Sequence, residues 1–289
     1  MSSRGPDQDQ ATAPPAAELT EIEDAALELA RLAGAEIQSA LGRTLAVRYK
    51  KSADPRAAFR DPVSEVDQAV EALIRARLAE RFPAHEIIGE EVEEERGGEH
   101  DFLWAIDPVD GTTNFVNGFP LFAASIGILH RGRPVVGALW CSTSHALRAG
   151  VYHARAGGGL RFEGEPLTRV AKEAVRRHLA GEPFASGGGG VPWDVRQTGS
   201  AAIECAFVAA GLLRVARFGR PHIWDIAGGV ALAQAAGAEV RSRSAQGWAP
   251  LERFAAEGDG DAGHPLRRWR QPVILGEPEA VEILCRRHR

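Results

Sequence analysis

The sequence predicts a mixed α/β fold, and three observations lead there. Two long segments, Leu19 to Leu41 and Ser64 to Phe82, repeat apolar residues at helical spacing. Between Glu86 and Phe162 the apolar runs are short and broken by charged or glycine-bearing stretches, as strands are. From Ala201 onward, strand-like and helix-like segments alternate. Two helices over a mostly antiparallel sheet, followed by an alternating half, define a mixed class.

The elements follow in order. Residues 1–17 are rich in Pro, Ala, Gln and Asp, lack the apolar core of a signal peptide, and read as a disordered tail. An N-terminal half is expected over 18–165 and a C-terminal half over 166–289. Ile22, Ala25, Ala26, Leu29, Leu32, Ala33 and Ile37 share one face of the first helix, and Gly42 stops it. Lys50 to Arg60, with Pro55, is a loop. Val66, Val70, Leu73, Ile74 and Leu78 line the second helix, which Pro83 closes. Glu86 to Gly89 is a short strand ending at Glu90 and Glu91, and Glu93 to His100 is a charged loop.

Phe102 to Ile106 is a strand that stops at two aspartates, Asp107 and Asp110. Gly111 turns the chain, and Thr112 to Asn114 begin a helix or turn. Ala123 to Leu129 and Pro134 to Trp140 flank Arg131-Gly132-Arg133 as a hairpin. Gly150 to Phe162, with Glu163-Gly164, suggests another pair with a tight turn. Gly187 to Gly190 is a flexible connection. Then come a helix over Ala201 to Leu213, a strand over Val215 to Phe218, and a helix over Trp224 to Ala236. Asp225 opens that last helix and Gly237 closes it. Strands over Ala238 to Arg241 and Pro272 to Leu275, and a helix over Pro278 to Arg287, complete the chain.

Composition excludes several function classes. A chain of 289 residues, 44% hydrophobic and 25% charged, is an ordinary globular protein with room for a large core. A net charge of −5 gives no reason to expect nucleic acid or an anionic membrane as partner. No apolar run is long enough to span a bilayer. Cys141, Cys205 and Cys285 have no metal-ligand spacing and are odd in number, which fits a reducing, cytoplasmic compartment. Arg267, Arg268 and Arg270, and the terminal Arg286, Arg287 and Arg289, read as solvated surface. His130, His145, His153 and His222 show no ligand spacing, and Glu257 to Asp261 reads as a solvated loop.

The residues that could carry chemistry are acids at element ends: Asp67, Glu90, Glu91, Asp107, Asp110 and Asp225. If they converge they repel. Two unit charges 4 Å apart cost about 4 kcal/mol at an effective dielectric near 20. A hard divalent cation such as Mg²⁺ removes the conflict and also takes phosphate oxygens. Each acid has a plainer reading. Asp107 to Gly111 is equally a turn. Ser64-Glu65-Val66-Asp67 matches a capping box. Glu90 and Glu91 open an acidic run, and Asp225 serves as a helix N-cap.

Four blocks taken together resemble the inositol monophosphatase family. Asp107-Pro-Val-Asp-Gly-Thr-Thr-Asn-Phe115, with Trp104 before and Gly118-Phe-Pro120 after, is similar to its first signature. Trp224-Asp225-Ile-Ala-Gly-Gly229 with Gln234-Ala-Ala-Gly237 is similar to its second. Asp61-Pro-Val-Ser-Glu-Val-Asp67 and Ile88-Gly-Glu-Glu91 match two further blocks. The resemblance implies a layered αβαβα sandwich of the inositol monophosphatase and fructose bisphosphatase type. It also implies hydrolysis of a small phosphorylated metabolite with two or three Mg²⁺ ions, inhibition by lithium, and a homodimer. Its metal ligands fall on Glu90, Asp107, the Val109 carbonyl, Asp110 and Asp225, and its water-activating pair on Thr112 and Asp67. Its phosphate contacts fall on the Gly111 and Thr112 amides. Asp110, Ser200 and Ala201 fall on the substrate side.

Two departures bear on the substrate. Where inositol-specific members carry an acid before the second signature, this chain has Phe218, followed by Gly219-Arg220-Pro221. Arg176 to Gln197 is shorter than usual, and its glycines are expected to replace a strand and a helix. Phosphatase chemistry on inositol phosphate, histidinol phosphate, a sugar phosphate or a phosphorylated nucleotide is therefore open, as is a non-catalytic phosphate-binding regulator of the same fold.

Overall fold

The computed structural model describes residues 13–43, 47–49, 62–92, 100–169, 174–183, 191–255 and 264–288. The expectations for Lys50 to Arg60, Asp61, Glu93 to Glu99, Gly187 to Gly190, Glu257 to Asp261, Arg289 and the first twelve residues lie outside these.

In chain order the elements are α1 (Ala16–Ala40), β1 (Val47–Tyr49), β2 (Pro62–Ser64), α2 (Glu65–Arg81), β3 (Glu86–Gly89) and β4 (Phe102–Asp110). Next come α3 (Thr112–Val116), β5 (Ala123–His130), β6 (Arg133–Cys141), β7 (Gly150–Arg155), β8 (Arg161–Phe162) and β9 (Glu165–Pro166). The second half holds β10 (His178–Gly181), β11 (Trp193–Arg196), α4 (Ala201–Ala209), β12 (Val215–Phe218) and α5 (Ile223–Ala235). It ends with β13 (Glu239–Ser244), β14 (Gly247–Pro250), β15 (Val273–Gly276) and α6 (Pro278–Arg287). No helix among the described residues is long and apolar enough to cross a membrane.

Two sheets set the layers. The first runs β3-β4-β5-β6-β7-β8-β9, with β3 and β4 parallel and every other pair antiparallel. The second runs β11-β10-β12-β15-β13-β14, with β10 parallel to both its neighbours. Alternation along the strands splits the first sheet's side chains. Trp104, Ile106, Ile126 and Ile128 pack under α1 and α2, while Leu103, Ala105, Leu129 and Leu139 face α4 and α5. The far face of α4 and α5 meets Ala216, Val273 and Leu275 of the second sheet. Its outer side, Ala180, Val215 and Ile274, is covered by Val281 and Leu284 of α6. The order α1α2, sheet, α4α5, sheet, α6 is the layered αβαβα sandwich the sequence implied.

Several local features follow expectation. Gly42 ends α1 with φ +75°, a left-handed stop that favours glycine. Ser64 caps α2, with Asp67 reaching back to the Ser64 amide at 2.9 Å. Others differ. α1 starts at Ala16, three residues before the expected Leu19, because Pro15 and two alanines suit a helix start without an apolar face. Glu163-Gly164 (φ 55° and 90°) makes the tight turn between β8 and β9, not between longer strands. The expected loss of a strand in Arg176 to Gln197 is corrected: β10 and β11 both lie there. β14 was not anticipated. Its Gly247 (φ 108°) closes a hairpin with β13.

Candidate active site

β4 carries the first acids. The strand runs four residues beyond the expected end, through Asp110, and its pairing with β5 slips between Asp107 and Asp110. That irregularity lets both buried carboxyls leave the ladder on the same side of the turn. Asp107 Oδ1 accepts from the Val109 amide at 3.1 Å. Gly111 then turns at φ +86°. A side chain there would press on the Leu121 and Gly199 carbonyls at 3.1 and 3.2 Å, so the position demands glycine twice over. α3 is only five residues long, so any anion at Gly111 would rest on individual amides more than on a helix dipole.

Thr112 links the strand end to α2. Its hydroxyl reaches Asp67 Oδ1 at 3.0 Å and the Val109 carbonyl at 2.8 Å. A hydroxyl has one proton and both partners accept, so the two contacts compete for it. Asp67 Oδ2 accepts the Ser64 amide at 2.9 Å and the Ser64 hydroxyl at 2.5 Å. Burial holds the Asp67 carboxyl above the ordinary range, and the Ser64 and Thr112 bonds partly offset this. The capping role and the pairing with Thr112 therefore coexist in one side chain.

Asp225 arrives on α5 as its third residue, not as the N-cap expected; His222 occupies that position. The Asp225 carboxylate accepts the His222 amide at 2.7 Å. Glycines seat the helix: a side chain at Gly127 or Gly137 would collide with the Gly228 backbone, so α5 lies directly on β5 and β6. Ser125 Oγ donates to the Trp224 carbonyl at 3.0 Å and ties β5 to the first turn of α5.

Asp110 faces the start of α4. The Ser200 hydroxyl donates to its Oδ2, and the Ala202 and Ala201 amides approach at 2.8 and 3.3 Å. One carboxylate thus satisfies orphan amides of a helix N-terminus. Burial still lifts Asp110 to about 6. Burial pushes Asp107 well above the usual range, with the charges of Glu90, Asp110 and Asp225 adding to it. Asp225 is raised in the same way by burial, Asp110 and Glu90. Glu90, Asp107, Asp110 and Asp225 therefore sense one another's charge across three separate elements. Among the described residues no three such side chains close on a single point, and the carboxylates turn to protein donors instead. The donor set, hard carboxylate oxygens whose mutual repulsion makes each harder to ionise, fits a divalent cation and suits no soft metal.

A cavity of about 430 Å³ opens beside Ser200 and Ala201. Asn114, Phe119, Thr198, Glu204, Arg217 and Phe218 line it. Asn114 Nδ2 donates to the Leu121 and Thr198 carbonyls at 2.6 and 2.7 Å, joining the α3 turn to the α4 approach. Glu204 is buried, pushed up to about 7 by desolvation, and accepts the Thr198 hydroxyl at 2.9 Å. Sequence reading missed Glu204, Arg217 and Asn114. It also missed Glu71, although an acid between Val70 and Ile74 on a buried face was a legible signal. Arg267 departs from the solvated surface expected of it: it is part-buried and bonds the Gly89 and Val92 carbonyls. Cys141, Cys205 and Cys285 are free and buried.

This fold and this set of acids define a class. The chain belongs to the inositol monophosphatase family, whose sequence model matches residues 18–271. It is 34% identical over 242 residues to the probable inositol 1-monophosphatase ImpA of Mycobacterium tuberculosis, covering 76% of this chain and 84% of that one. It is 32% identical over 236 residues to the chloroplastic phosphatase IMPL1 of Arabidopsis thaliana, covering 74% of this chain and 60% of that longer relative. Among solved structures it superposes on the extragenic suppressor protein SuhB of Bartonella henselae with a TM-score of 0.70. The identity there is 26%, over 92% of this chain and 97% of that one.

Proposed function

We propose that this protein is a Mg²⁺-dependent phosphate monoester hydrolase acting on a small phosphorylated polyol or a related metabolite. The observation that carries the reading is that Glu90, Asp107, Asp110 and Asp225, on three elements, lie within electrostatic reach of one another beside a Thr112–Asp67 pair. Glu90, Asp107, the Val109 carbonyl, Asp110 and Asp225 would hold two or three Mg²⁺ ions. Bound there, the ions supply charge neutralisation for phosphate and leaving oxygen and make water a stronger acid.

The chain's own residues do the rest. When Thr112 gives its proton to Asp67 Oδ1, its oxygen lone pairs are free to accept from an attacking water. Asp67, already above the usual range, is suited to take that proton's share of charge. The Gly111 and Thr112 amides would bind phosphate oxygens, and Gly111 holds its turn because the Leu121 and Gly199 carbonyls leave no room for a side chain. Ser200 and Ala201 border the cavity that would take the alcohol part, and Asp110 bonds both of them from behind. Phe218 and Phe119 give that cavity apolar walls, and Glu204 gives it a hydrogen-bond acceptor. The division near residue 165 would separate a half that brings Glu90, Asp107 and Asp110 from one that brings Asp225.

Phosphate release with Mg²⁺ tests this on inositol 1-phosphate, histidinol phosphate, fructose 1,6-bisphosphate and 3′-phosphoadenosine 5′-phosphate. Release from at least one, abolished by EDTA, is expected. Lithium inhibition, a homodimer in sedimentation and a cytoplasmic location belong to the same reading. A second reading is a phosphate-binding regulator without turnover. It draws on the resemblance to a protein named as an extragenic suppressor. Binding of phosphate with no release from any of the four esters would favour it.

A further inference from the structure

Arg267 lies in the short 3₁₀ turn Pro265–Arg268, far in sequence from every acid of the site. Its Nη1 donates to the Gly89 carbonyl at 2.7 Å and to the Val92 carbonyl at 3.1 Å. Those carbonyls flank Glu90. The guanidinium carbon also stands 5.1 Å from the centre of the Trp224 ring, one residue before Asp225.

The same segment is held from its other side by α2. Glu71 is fully buried and accepts the Glu91 amide at 2.7 Å and the Val92 amide at 3.2 Å. Arg75 pairs with Glu71 at 2.8 Å and donates to the Val92 carbonyl at 3.1 Å. A side chain at Gly89 would collide with the Glu71 carboxylate, so the backbone lies tight against α2. Glu71 and Arg75 anchor the segment within its own half. Arg267 reaches it from the other half, while resting on the first turn of α5.

This arrangement addresses a mechanical problem. Glu90 follows β3, Asp225 rides on α5, and their charges repel. Two repelling groups on separate elements drift apart unless their supports are joined. A guanidinium suits the joint because one nitrogen, Nη1, bridges the two carbonyls while its flat face lies on an indole; a lysine ammonium has the donors but no planar face to lay on the ring.

We propose that Arg267 is a positioning residue that clamps the Glu90 segment to the first turn of α5, presenting Glu90 and Asp225 to the cations at a fixed separation. The proposal rests on reading the site as a Mg²⁺ phosphatase. Loss of an outer support of a metal ligand commonly weakens binding about 10–100-fold.

The test titrates Mg²⁺ calorimetrically into the full-length protein and its Arg267→Gln and Arg267→Lys variants. The Mg²⁺ dependence of phosphate release and thermal unfolding in EDTA are measured alongside. Arg267→Gln is expected to raise the Mg²⁺ Kd and the half-activating Mg²⁺ concentration together, by about tenfold. KM for the ester at saturating Mg²⁺ should stay within about twofold, a split that general structural damage would not produce. Arg267→Lys should keep most of the loss; full recovery with lysine would show that charge alone matters and overturn the clamp. Should the Gln variant not fold, Trp224→Leu removes the indole platform and keeps both carbonyl bonds, with a loss of about threefold expected. Mg²⁺ binding unchanged in the variants overturns the proposal and leaves the phosphatase reading intact. No Mg²⁺ binding by the wild type overturns both.

Discussion

Gly137→Ala probes how Asp225 is seated. A Cβ at Gly137 would overlap the Gly228 carbonyl oxygen, sit 3.0 Å from its carbon and 3.2 Å from the Ala231 Cβ. Carbon contacts are comfortable at about 3.5–4.0 Å, so α5 would have to retreat by roughly 1 Å. The obstacle is backbone, and no rotamer change relieves it. Overpacking of this kind costs about 1–3 kcal/mol. At roughly 2–4 °C per kcal/mol for a protein of this size, Tm should fall by about 2–12 °C. Because Asp225 is in the first turn of α5, the same retreat shifts it against Asp107 and Asp110. A misplacement near 1 Å can lower turnover about 100-fold. Thermal unfolding and phosphate release at saturating Mg²⁺ measure both effects. Gly159→Ala is the control, since a side chain there meets nothing within 4 Å. It should change stability by less than about 0.5 kcal/mol. If Gly137→Ala melts with the control and keeps its turnover, the glycine contact does not seat α5 and the reasoning fails.

Three other outcomes are expected. Asp110→Asn and Asp225→Asn should each lower phosphate release by about a hundredfold or more. Asp225→Asn should also raise the Tm measured in EDTA, because it removes a buried charge repelled by its neighbours; retained turnover with a lower Tm would contradict both points. Asp110, at about 6, holds a proton in the folded state that the unfolded chain has released. The stability this contributes is full below the unfolded value and is lost as pH rises through about 6. It is on the order of 3 kcal/mol. Tm in EDTA should therefore rise between pH 7 and pH 5; a fall across that window would reverse the sign. Ser64→Ala removes the α2 cap and the hydroxyl bonded to Asp67. It should cost about 1 kcal/mol by thermal unfolding, with Ser64→Thr retaining most of the stability.

Much of this was legible along the chain, and for local reasons. Gly42, Pro83 and Gly237 mark helix ends through backbone preferences that act residue by residue. Ser64 and Asp67 sit three apart, and a capping box needs nothing more distant. The acids Asp107, Asp110 and Asp225 stood out because carboxylates at element ends lack a packing role. What was misread depended on distance in space. The glycine-rich surroundings of β10 and β11 predict no strand, yet β10 pairs in parallel with β12 and β11 with β10, which holds both in a sheet. An aspartate ahead of an apolar run predicts an N-cap, yet Asp225 lies three residues past it, because helix starts are hard to place within a few residues. Arg267 reads as surface in the sequence because its partners, the Gly89 and Val92 carbonyls and the Trp224 ring, leave no trace near it along the chain.

The sequence by itself determined the class of fold, the family and the inventory of acids, because periodicity, caps and signature blocks are properties of neighbouring residues. Tertiary structure decided which acids feel one another and which cavity wall lies beside them. It alone shows that Gly127 and Gly137 let α5 descend onto the sheet, bringing Asp225 within electrostatic reach of Asp107 and Asp110. It also gives Glu204 and Arg217 a place beside Phe218. Burial, repulsion and close approach act through space, and they exist only once distant segments have packed.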